Sequence, residues 1–521
     1  MKTGEQGELI LAIDVGTQSV RAGLVDLTGA VHHLVKTAIE PYFSAQPGWA
    51  EQDPEYYWKT VCDVCRQVLA ADPSARGRLQ AVTVTTQRVT MINVDRDGKP
   101  LRPAIVWLDQ RKADVDQVLS APLRLALKGI GLSEFVDFAV GVSRSNWIRQ
   151  HQPEVWEQTH KFLFLSGFLA HRLTGEFRES TGNVFGAIPF DVKRGSWAGK
   201  LDLKWKFFPV EPEKLTELVP PSSFLGHITT AAAEVTGIPA GLPLIAAAAD
   251  KACDVLGAGC LTPERACISF GTTATINTHN KRYVELWSMM PPYPSAIPGH
   301  FYSEVGVVRG LWLVSWFKEE FGLHERQLAH ATQASPEELL EELLKEVPAG
   351  SKGLICHPNW APALGQSRAT KGAIIGFGEV HTRAYVYRAI IEGLVYALRE
   401  GAELTERKNK LAITDVVATG GGSKSDAILQ ITADVFGRPV HRPHTSETSL
   451  LGAAMVAAVG LKLMPDFATA VAAMTRVAAS FEPESANRTL YDDLYSRVYK
   501  GMYKQLLPLN EQIRAITGYP T

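Results

Sequence analysis

The sequence predicts an α/β protein made of two domains with similar architecture. Short apolar runs, typical of buried strands, alternate along the chain with longer amphipathic runs, typical of helices, and this alternation indicates α/β layers. A strand, a Gly-Thr turn and a second strand open the chain at residues 9–26, and the same unit returns at residues 266–277. The two copies start roughly half a chain apart, which indicates one architecture used twice.

The composition is that of an ordinary globular enzyme. The chain has 521 residues, of which 45% are hydrophobic and 21% charged, enough for two or three domains with substantial cores. Its net charge of −2 gives no electrostatic reason to expect nucleic acid or an anionic membrane as a partner. The longest apolar stretch, residues 450–461, is shorter than the about 20 residues that cross a bilayer, and the N-terminus lacks the build of a signal peptide. We therefore expect a cytoplasmic protein.

In chain order, the first element is an apolar strand that ends in Asp14. Further strands over residues 20–26 and 31–35 predict a β-meander. The loop between the first two strands has a glycine that permits a tight turn, in which backbone N–H groups and hydroxyls can bind phosphate oxygens; its residues are Gly16, Thr17, Gln18 and Ser19. Asp14 could hold Mg²⁺ through water, because that ion prefers oxygen ligands. The alternative is a hairpin turn with an Asx-type cap.

The next elements have the periodicity of helices and strands. Residues 56–69 form an amphipathic helical pattern that carries Cys62 and Cys65. With no second CxxC or nearby histidine pair, we interpret these cysteines as structural rather than as metal ligands. Strands are expected over residues 80–86, 89–94 and 415–418, and helices over residues 154–173, 382–406 and 425–436. The candidate domain boundary and hinge is the segment from Gly257 to Pro263.

Two further loops complete a candidate nucleotide site. The repeated strand unit in the second half carries Gly271, Thr272 and Thr273, and two such loops facing each other could grip one polyphosphate. A third loop joins the strand over residues 415–418 to a helix and contains Gly420, Gly421, Gly422 and Ser423. Its glycines let a flat ligand press against bare backbone near the start of a helix. There is no GxxxxGK[ST], so the P-loop class is disfavoured.

These three loops, in this order and spacing, resemble those of the FGGY carbohydrate kinases, in the actin/hexokinase/heat-shock ATPase superfamily. Other segments that resemble family landmarks are residues 47–54, 106–111, 162–175, 381–384, 392–393 and 447–454. The resemblance implies two actin-like (ribonuclease H-like) domains, each with a mixed central sheet flanked by helices, and an active-site cleft between them. It also implies ATP and Mg²⁺ as cofactors. We expect the sugar-binding, catalytic domain over residues 1–258 and the ATP-binding domain over residues 259–521.

In this family an aspartate just before the second phosphate motif acts as general base, and the matching residue is Asp250. It follows the apolar run at residues 244–249, so it emerges at a strand end, where α/β active sites are usually built. General-base help is typically worth about 10²- to 10⁴-fold in rate. The structural alternative is that Asp250 caps a helix beginning near Lys251. Asp254, one helical turn further on, is the weaker candidate.

The resemblance also locates the substrate pocket after the glutamine of the strand at residues 80–86. This chain has Gln87-Arg88-Val89, whereas glycerol kinases have Arg-Glu and xylulose kinases Met-His after the glutamine. Arg88 can donate several hydrogen bonds to hydroxyl oxygens, although a salt-bridged residue at a strand end is the alternative. Asp109 and Arg111 could line the same cleft, and Trp49 and Trp107 could form its walls, with core packing as the alternative for both tryptophans. We therefore expect Gln87, Arg88, Trp107, Asp109 and Asp250 to contact the substrate.

The substrate itself is left open. Residues 143–148 lack the lysine usual in the first family signature, and the Arg88-Val89 pair matches neither named relative. A ketopentose, a four- or five-carbon polyol, glycerol or a signalling-type dihydroxy ketone would all fit. The rival functions are a sugar-independent ATPase and a catalytically idle nucleotide- or sugar-binding regulator of the same fold. Relatives often form dimers or tetramers, so a homodimer is one expectation.

Overall fold

The computed structural model describes residues 7–332, 335–362 and 366–519. The strands are β1 (Leu9–Val15), β2 (Ser19–Asp26), β3 (Val31–Ala38), β4 (Glu51–Gln52), β5 (Leu79–Thr86), β6 (Met91–Val94), β7 (Ala104–Ile105), β8 (Lys161–Phe164), β9 (Arg178–Ser180), β10 (Phe190–Asp191), β11 (Ser196–Trp197), β12 (Glu217–Val219), β13 (Phe224–His227), β14 (Pro243–Ala246), β15 (Arg265–Phe270), β16 (Ala274–Asn280), β17 (Tyr293–Pro294), β18 (Phe301–Val307), β19 (Ile355–His357), β20 (Ala373–Ile375), β21 (Asp415–Thr419), β22 (Val440–Pro443) and β23 (Val477–Phe481).

The helices surround the sheets formed by these strands. They are α1 (Pro54–Ala71), α2 (Ala121–Gly129), α3 (Ser133–Gly141), α4 (Arg144–His151), α5 (Pro153–Gln158), α6 (Leu165–Thr174), α7 (Lys204–Phe207), α8 (Thr230–Thr236), α9 (Asp250–Gly257), α10 (Trp312–Phe321), α11 (Leu323–Thr332), α12 (Pro336–Lys345), α13 (Arg383–Asn409), α14 (Asp426–Phe436), α15 (Thr448–Gly460), α16 (Phe467–Met474), α17 (Ser485–Leu494) and α18 (Lys500–Thr517). Within the described residues, no helix is both long enough and apolar enough to span a membrane.

Two mixed sheets confirm the predicted fold class. The first has the strand order β13-β14-β5-β1-β2-β3, and the second has the order β17-β18-β16-β15-β21-β22-β23. In both sheets a hairpin of antiparallel strands, β1–β2 or β15–β16, extends on one side into a parallel pairing, β1–β5 or β15–β21. The repeated strand–Gly-Thr–strand unit therefore has the same place in both sheets. The domain boundary after residue 258 stays a prediction.

The first strand shows why its sequence is apolar at every position. All seven residues of β1 are buried, because both faces of the sheet are covered. Leu9, Leu11 and Ile13 pack in one core with residues of α1, whereas Ile10 and Ala12 pack in a second core with α9 and α15. Alternate side chains of a strand point to opposite faces, so a strand in the middle of a two-sided sheet needs apolar residues throughout.

The Cys62–Cys65 pair is structural, as expected. Both thiols are buried in the core beneath α1, and neither forms a disulfide. Burial raises the pKa of Cys62 to about 11 and raises the pKa of Cys65 further, so neither is a ready thiolate. The described part of the chain contains no cluster of three or more histidine, cysteine, aspartate or glutamate side chains arranged to hold a metal.

One predicted element is wrong. The expected helix over residues 154–173 is broken by β8, which separates the short helix α5 from α6. The reason is a long-range pairing, since β8 pairs antiparallel with β6, from Met91–Phe164 to Val94–Lys161. Hydrogen bonds to a distant strand outweigh a local helical pattern, which periodicity alone could not reveal. The other predicted helices and strands are present, with ends shifted by a few residues.

Helices α9 and α15 are in direct backbone contact, and this contact joins the two halves of the chain. A Cβ atom placed on Gly452 of α15 would lie 1.9 Å from the Cys253 carbonyl oxygen of α9. A Cβ atom on Gly257 would lie 1.9 Å from the Thr448 carbonyl oxygen. Only glycine permits so close an approach, and α9 is the helix that begins at Asp250.

The Gly452→Ala substitution should therefore force α9 and α15 apart. We expect the free energy of unfolding to fall by about 1–3 kcal/mol or more, as for other overpacked cores, and kcat to fall with it if Asp250, at the start of α9, is the base that the sequence predicts. Denaturant unfolding monitored by circular dichroism measures the first effect. Gly501→Ala in α18 is the matched control, since its Cβ would meet only the Gln505 side chain at 3.4 Å. Equal stability of the two variants would contradict the packing account.

Candidate active site

The first phosphate loop, which consists of the candidate phosphate-binding residues Gly16 to Ser19, turns directly between β1 and β2. The Gly16 N–H donates to the Ser19 carbonyl at 3.1 Å and closes the turn. Asp14, near the end of β1, is buried, and its Oδ2 accepts a hydrogen bond from Arg21 Nη1 at 2.9 Å. Its other oxygen, Oδ1, is buried without a hydrogen-bond partner. An unpartnered buried carboxylate oxygen is expensive, so this atom is placed to receive a ligand.

Asp14 lies in the field of two further carboxylates. Burial raises its pKa to about 7; Arg21 opposes this shift, while Asp250 and Glu447 add to it. Glu447 also has a buried oxygen, Oε2, without a hydrogen bond, although Arg21 Nε lies 3.3 Å away. Oxygen ligands and local negative charge suit Mg²⁺, which keeps several waters and needs few protein ligands. The residues present therefore fit a magnesium ion held through water.

The second candidate phosphate loop is in contact with the first. Gly271, Thr272 and Thr273 lie between β15 and β16, and Gln18 Nε2 donates to Thr272 Oγ1 at 3.2 Å. The carbonyl of Gly271 accepts from the Leu311 N–H, which fixes this loop against the segment that starts α10. The two Gly-Thr loops that the sequence suggested as partners are thus in contact.

The glycine-rich loop packs against the same strand end. Gly420 has a φ of +77°, and a Cβ there would lie 2.6 Å from the Phe270 carbonyl oxygen. Gly422 is similarly close to the Phe270 side chain, whereas a Cβ on Gly421 would meet no atom within 4 Å. Ser423 is buried, and its Oγ donates to the Gly420 carbonyl at 2.7 Å. Two glycines therefore press on β15, and the third leaves open backbone on the accessible side.

Asp250 is the first residue of α9 and follows β14 after a short buried segment. Its Oδ1 accepts from the backbone N–H of Lys251 at 2.7 Å, but Ala249 occupies the N-cap position. The helix-cap alternative is therefore wrong in detail. Burial raises the pKa of Asp250; Arg88 and Lys251 lower it, and Glu304 raises it further. Its carboxyl thus faces charged groups from both halves of the chain.

Asp254 has a different role. Thr419 Oγ1 donates to its Oδ2 at 3.0 Å, and Thr448 Oγ1 donates to its Oδ1. Both oxygens therefore tie α9 to the second half of the chain. These hydrogen bonds give Asp254 a structural role between the two halves of the chain.

Arg88 is held by side chains that sequence reasoning missed. Its Nη1 donates to the Tyr302 hydroxyl at 3.0 Å, and its Nη2 donates to both carboxylate oxygens of Glu304, at 2.9 and 3.0 Å. The guanidinium also lies over the Tyr293 ring, 4.3 Å from its centroid. These partners lie on β17 and β18, in the second sheet. Their only sequence signal is that residues 302 and 304 share one face of a strand.

Gln87 and Trp107 support the first phosphate loop. Thr17 Oγ1 donates to Gln87 Oε1 at 3.0 Å, and Gln87 Nε2 donates to the Tyr57 hydroxyl at 3.1 Å. Trp107 Nε1 donates to Thr17 Oγ1 at 2.9 Å, while its ring stays 39% exposed. Trp107 can therefore face a ligand, whereas the buried amide of Gln87 is already engaged at both ends.

Asp109 is enclosed by the protein. Its side chain is completely buried, and it accepts hydrogen bonds from the Ala50 N–H at 2.7 Å and from the Arg111 side chain at 2.8 Å. Arg111 in turn stacks on the rings of Trp49 and Trp147. The expectation that Asp109 contacts substrate is therefore not met in this conformation, because the protein itself occupies its oxygens.

Lys251 is another residue that sequence reasoning missed. Its ammonium donates to Ser269 Oγ at 2.6 Å, next to the strand end that carries the second phosphate loop. It is the neighbour of Asp250 in sequence and therefore places a cation between the base candidate and that loop. The sequence signal that could have identified Lys251 is its position directly after Asp250, at the end of an apolar run.

The comparisons with known proteins agree over nearly the whole chain. Residues 9–257 match the model of the N-terminal domain of the FGGY family of carbohydrate kinases, and residues 266–461 match that of its C-terminal domain. An uncharacterized sugar kinase of Escherichia coli (strain K12), YgcE, is 31% identical over 95% of this chain and 93% of its own. A xylulose kinase of Staphylococcus epidermidis is 26% identical over 98% of this chain and 99% of its own. The solved xylulose kinase from Rhodospirillum rubrum has a TM-score of 0.80 and 25% identity, over 97% of this chain and 100% of its own.

Proposed function

Because the chain belongs to the FGGY family of carbohydrate kinases, we propose that it transfers the γ-phosphoryl group of ATP to a hydroxyl of a small sugar or polyol. Asp250 acts as the general base. The observation that carries this proposal is the position of Asp250, whose buried carboxyl lies within electrostatic reach of Arg88 in the candidate sugar pocket and of Asp14 near the end of β1. The acceptor hydroxyl and the phosphates would therefore meet at this residue.

The three loops are the proposed nucleotide site. The two Gly-Thr loops offer backbone N–H groups and hydroxyls to the phosphates, and the open backbone at Gly421 lies beside the start of α14 for the adenosine. The proposed nucleotide-binding residues remain Gly16, Thr17, Gln18, Ser19, Gly271, Thr272, Thr273, Gly420, Gly421, Gly422 and Ser423. Lys251 adds a positive charge near the second loop.

Asp14 is the proposed magnesium residue, acting through bound water with Glu447 beside it. The ion, when bound, neutralises charge on the phosphate oxygens. The protein's own contribution is to hold both carboxylates beside Arg21, with Asp14 buried and Glu447 partly exposed.

The chemistry at Asp250 is a proton transfer coupled to substitution at phosphorus. The carboxylate accepts the proton of the hydroxyl while the hydroxyl oxygen forms a bond to the γ-phosphorus. The bond between that phosphorus and the bridging oxygen breaks, and ADP leaves with both electrons of that bond. Base help accounts for about 10²- to 10⁴-fold, and the remaining acceleration comes from positioning and charge neutralisation.

The raised pKa of Asp250 predicts the acid side of the pH profile. A protonated carboxyl cannot accept a proton, so kcat/KM should fall as pH decreases through a pKa above the ordinary value of 3.8. Arg88 lowers this pKa, so Arg88→Gln should move the acid limb to higher pH. Steady-state kinetics across pH measures both effects. An acid limb that stays in place in Arg88→Gln would contradict the proposed coupling.

An ADP-release assay with and without a panel of carbohydrates separates the candidate functions. Carbohydrate-dependent release supports the kinase proposal. Equal release without carbohydrate would favour the ATPase alternative, and nucleotide binding without release would favour the idle regulator. The panel should contain ketopentoses, alditols of three to six carbons and dihydroxy ketones.

A cytoplasmic location and homodimer formation remain proposals of the same account. Neither property is needed for the proposed proton transfer at Asp250. Fractionation of cells that make the protein tests the first, and sedimentation of the purified chain tests the second.

A further inference from the structure

The candidate sugar pocket contains an ion pair formed between the two halves of the chain. Arg88 follows β5 of the first sheet, and Glu304 lies on β18 of the second. The guanidinium Nη2 lies 2.9 and 3.0 Å from the two carboxylate oxygens. Burial acts to lower the pKa of Arg88, but Glu304, Tyr302 and Tyr293 hold it well above its ordinary value. Arg88 therefore stays positively charged, and the carboxylate of Glu304 balances its charge.

The pair remains accessible to a ligand. The side chains of Arg88 and Glu304 are 18% and 11% exposed, so neither is sealed in the core. A guanidinium has five N–H donors in a fixed fork, so Arg88 can bind Glu304 and Tyr302 and still donate to a hydroxyl oxygen. Glu304 can accept from a substrate hydroxyl at the same time. The pocket thus offers donors and acceptors together, as polyhydroxy compounds require.

From this geometry we infer that the Arg88–Glu304 pair selects uncharged carbohydrates and rejects sugar acids. The inference rests on the proposed function and narrows its substrate class. The charged side chains that act most strongly on Asp250 are Arg88 and Lys251, which are positive, and Glu304, which is negative, so with the Asp250 carboxylate there are two charges of each sign. They balance. A substrate carboxylate would add an unmatched negative charge beside two others, and like charges in such a site are strongly unfavourable.

A sugar acid could take the two Nη2 donors of Arg88 only by displacing Glu304. That displacement would leave the Glu304 carboxylate partly buried and without its cation, which is the costly way to break such a pair. Neutral hydroxyls need no displacement. The specificity therefore comes from a repulsive element, Glu304, as much as from the attractive donor at Arg88.

Aromatic rings line the same position. Tyr293 stacks on Tyr302 with ring centroids 5.2 Å apart, and Phe185 lies against Tyr293 at 4.0 Å. Such faces suit the C–H groups of a sugar chain, and the polar tips stay at Arg88. The second half of the chain thus supplies part of the sugar pocket as well as two of the three proposed nucleotide loops.

The test compares neutral substrates with acids of the same carbon number. Erythritol, xylitol and glucitol, with the matching ketoses, are set against erythronate, xylonate and gluconate. We expect wild-type kcat/KM to be at least ~100-fold higher for the best neutral compound than for the acid of the same length. In Glu304→Gln this ratio should fall at least tenfold, because Arg88 can then pair with the substrate carboxylate.

Tyr302→Phe is the matched control. It removes one hydrogen bond to Arg88 and leaves every charge in place, so the neutral-to-acid ratio should stay within a few fold of the wild type while KM rises. Thermal melting of each variant checks that it folds. Wild-type preference for an acid, or a ratio that Glu304→Gln does not move, would overturn the inference.

Calorimetric titration of the same neutral and acid compounds separates this inference from the proposed function. If no compound is phosphorylated, the kinase proposal fails. The binding preference of the wild type and its change in Glu304→Gln still decide the inference. Tighter binding of the acid by the wild type would contradict it, whatever the turnover.

Discussion

Replacing Asp250 with asparagine is expected to lower kcat for carbohydrate phosphorylation by about 10²- to 10⁴-fold. Asparagine has nearly the same shape but cannot accept the hydroxyl proton. Its side-chain oxygen can still accept the hydrogen bond from the Lys251 N–H, so α9 should begin as before. ATP affinity should change little because Asp250 is not part of the phosphate loops. Rapid-quench kinetics gives the rate of transfer, and calorimetry gives the ATP affinity.

The fold should tolerate this change. Burial raises the pKa of Asp250 above its value in an unfolded chain. An aspartate with a raised folded pKa opposes folding at pH above the unfolded value, because its charged form is better solvated when unfolded. Removing the charge takes away that penalty, so at neutral pH the variant should be at least as stable as the wild type.

Asp254→Asn is the matched control, one helical turn away in α9. Its oxygens accept hydrogen bonds from Thr419 and Thr448 rather than facing the cleft. We expect it to lower the free energy of unfolding and to keep the catalytic step. Near-normal turnover in Asp250→Asn would show that another group is the base.

The Gly420→Ala substitution is expected to weaken ATP binding by about 10²-fold. Gly420 has φ +77° and ψ −175°, a combination that essentially only glycine adopts. A Cβ there would lie 2.6 Å from the Phe270 carbonyl oxygen, so the glycine-rich loop must move away from β15. A displacement of about 1 Å in such a site can reduce activity by 10²-fold. Titration with a non-hydrolysable ATP analogue measures the effect, and the melting temperature should fall with it.

Gly421→Ala distinguishes a folding effect from a binding effect. A Cβ on Gly421 would meet no protein atom within 4 Å, so the free protein should keep its melting temperature. If the nucleotide occupies that open space, ATP affinity should still fall. Gly77→Ala, which also meets no atom, should change neither quantity. Unchanged ATP affinity in both Gly420→Ala and Gly421→Ala would place the nucleotide elsewhere.

The features that could be predicted from the sequence each consist of a few consecutive residues. The Gly-Thr loops, the glycine-rich loop and Asp250 each follow an apolar run of sequence directly, and strand ends are where side chains and backbone N–H groups meet a ligand. The repeat at half the chain predicted two related sheets. In the structure, Gln18 of the first loop reaches Thr272 of the second. The resemblance of these loops to those of the FGGY carbohydrate kinases supported the same prediction of the site.

The features that could not be predicted depend on distant contacts. Glu304 and Arg88 are more than two hundred residues apart in the sequence, and the residues near either of them contain no pattern that predicts the contact. Asp109 lies in a landmark segment, but the sequence cannot tell which way its carboxylate points. β8 forms because β6 offers it a neighbour, against a helical local pattern. In each case a contact between residues far apart in the sequence determines the structure, and the local sequence pattern does not specify it.

The most direct test of the central claim follows the γ-phosphoryl group itself. The purified protein is incubated with ATP labelled in that group and with each carbohydrate of the panel, and the products are separated. Transfer of the label into a carbohydrate phosphate ester, lost in Asp250→Asn, is the result we predict. Release of the label only as inorganic phosphate, at the same rate with every carbohydrate and with none, would contradict the assignment of this chain's reaction.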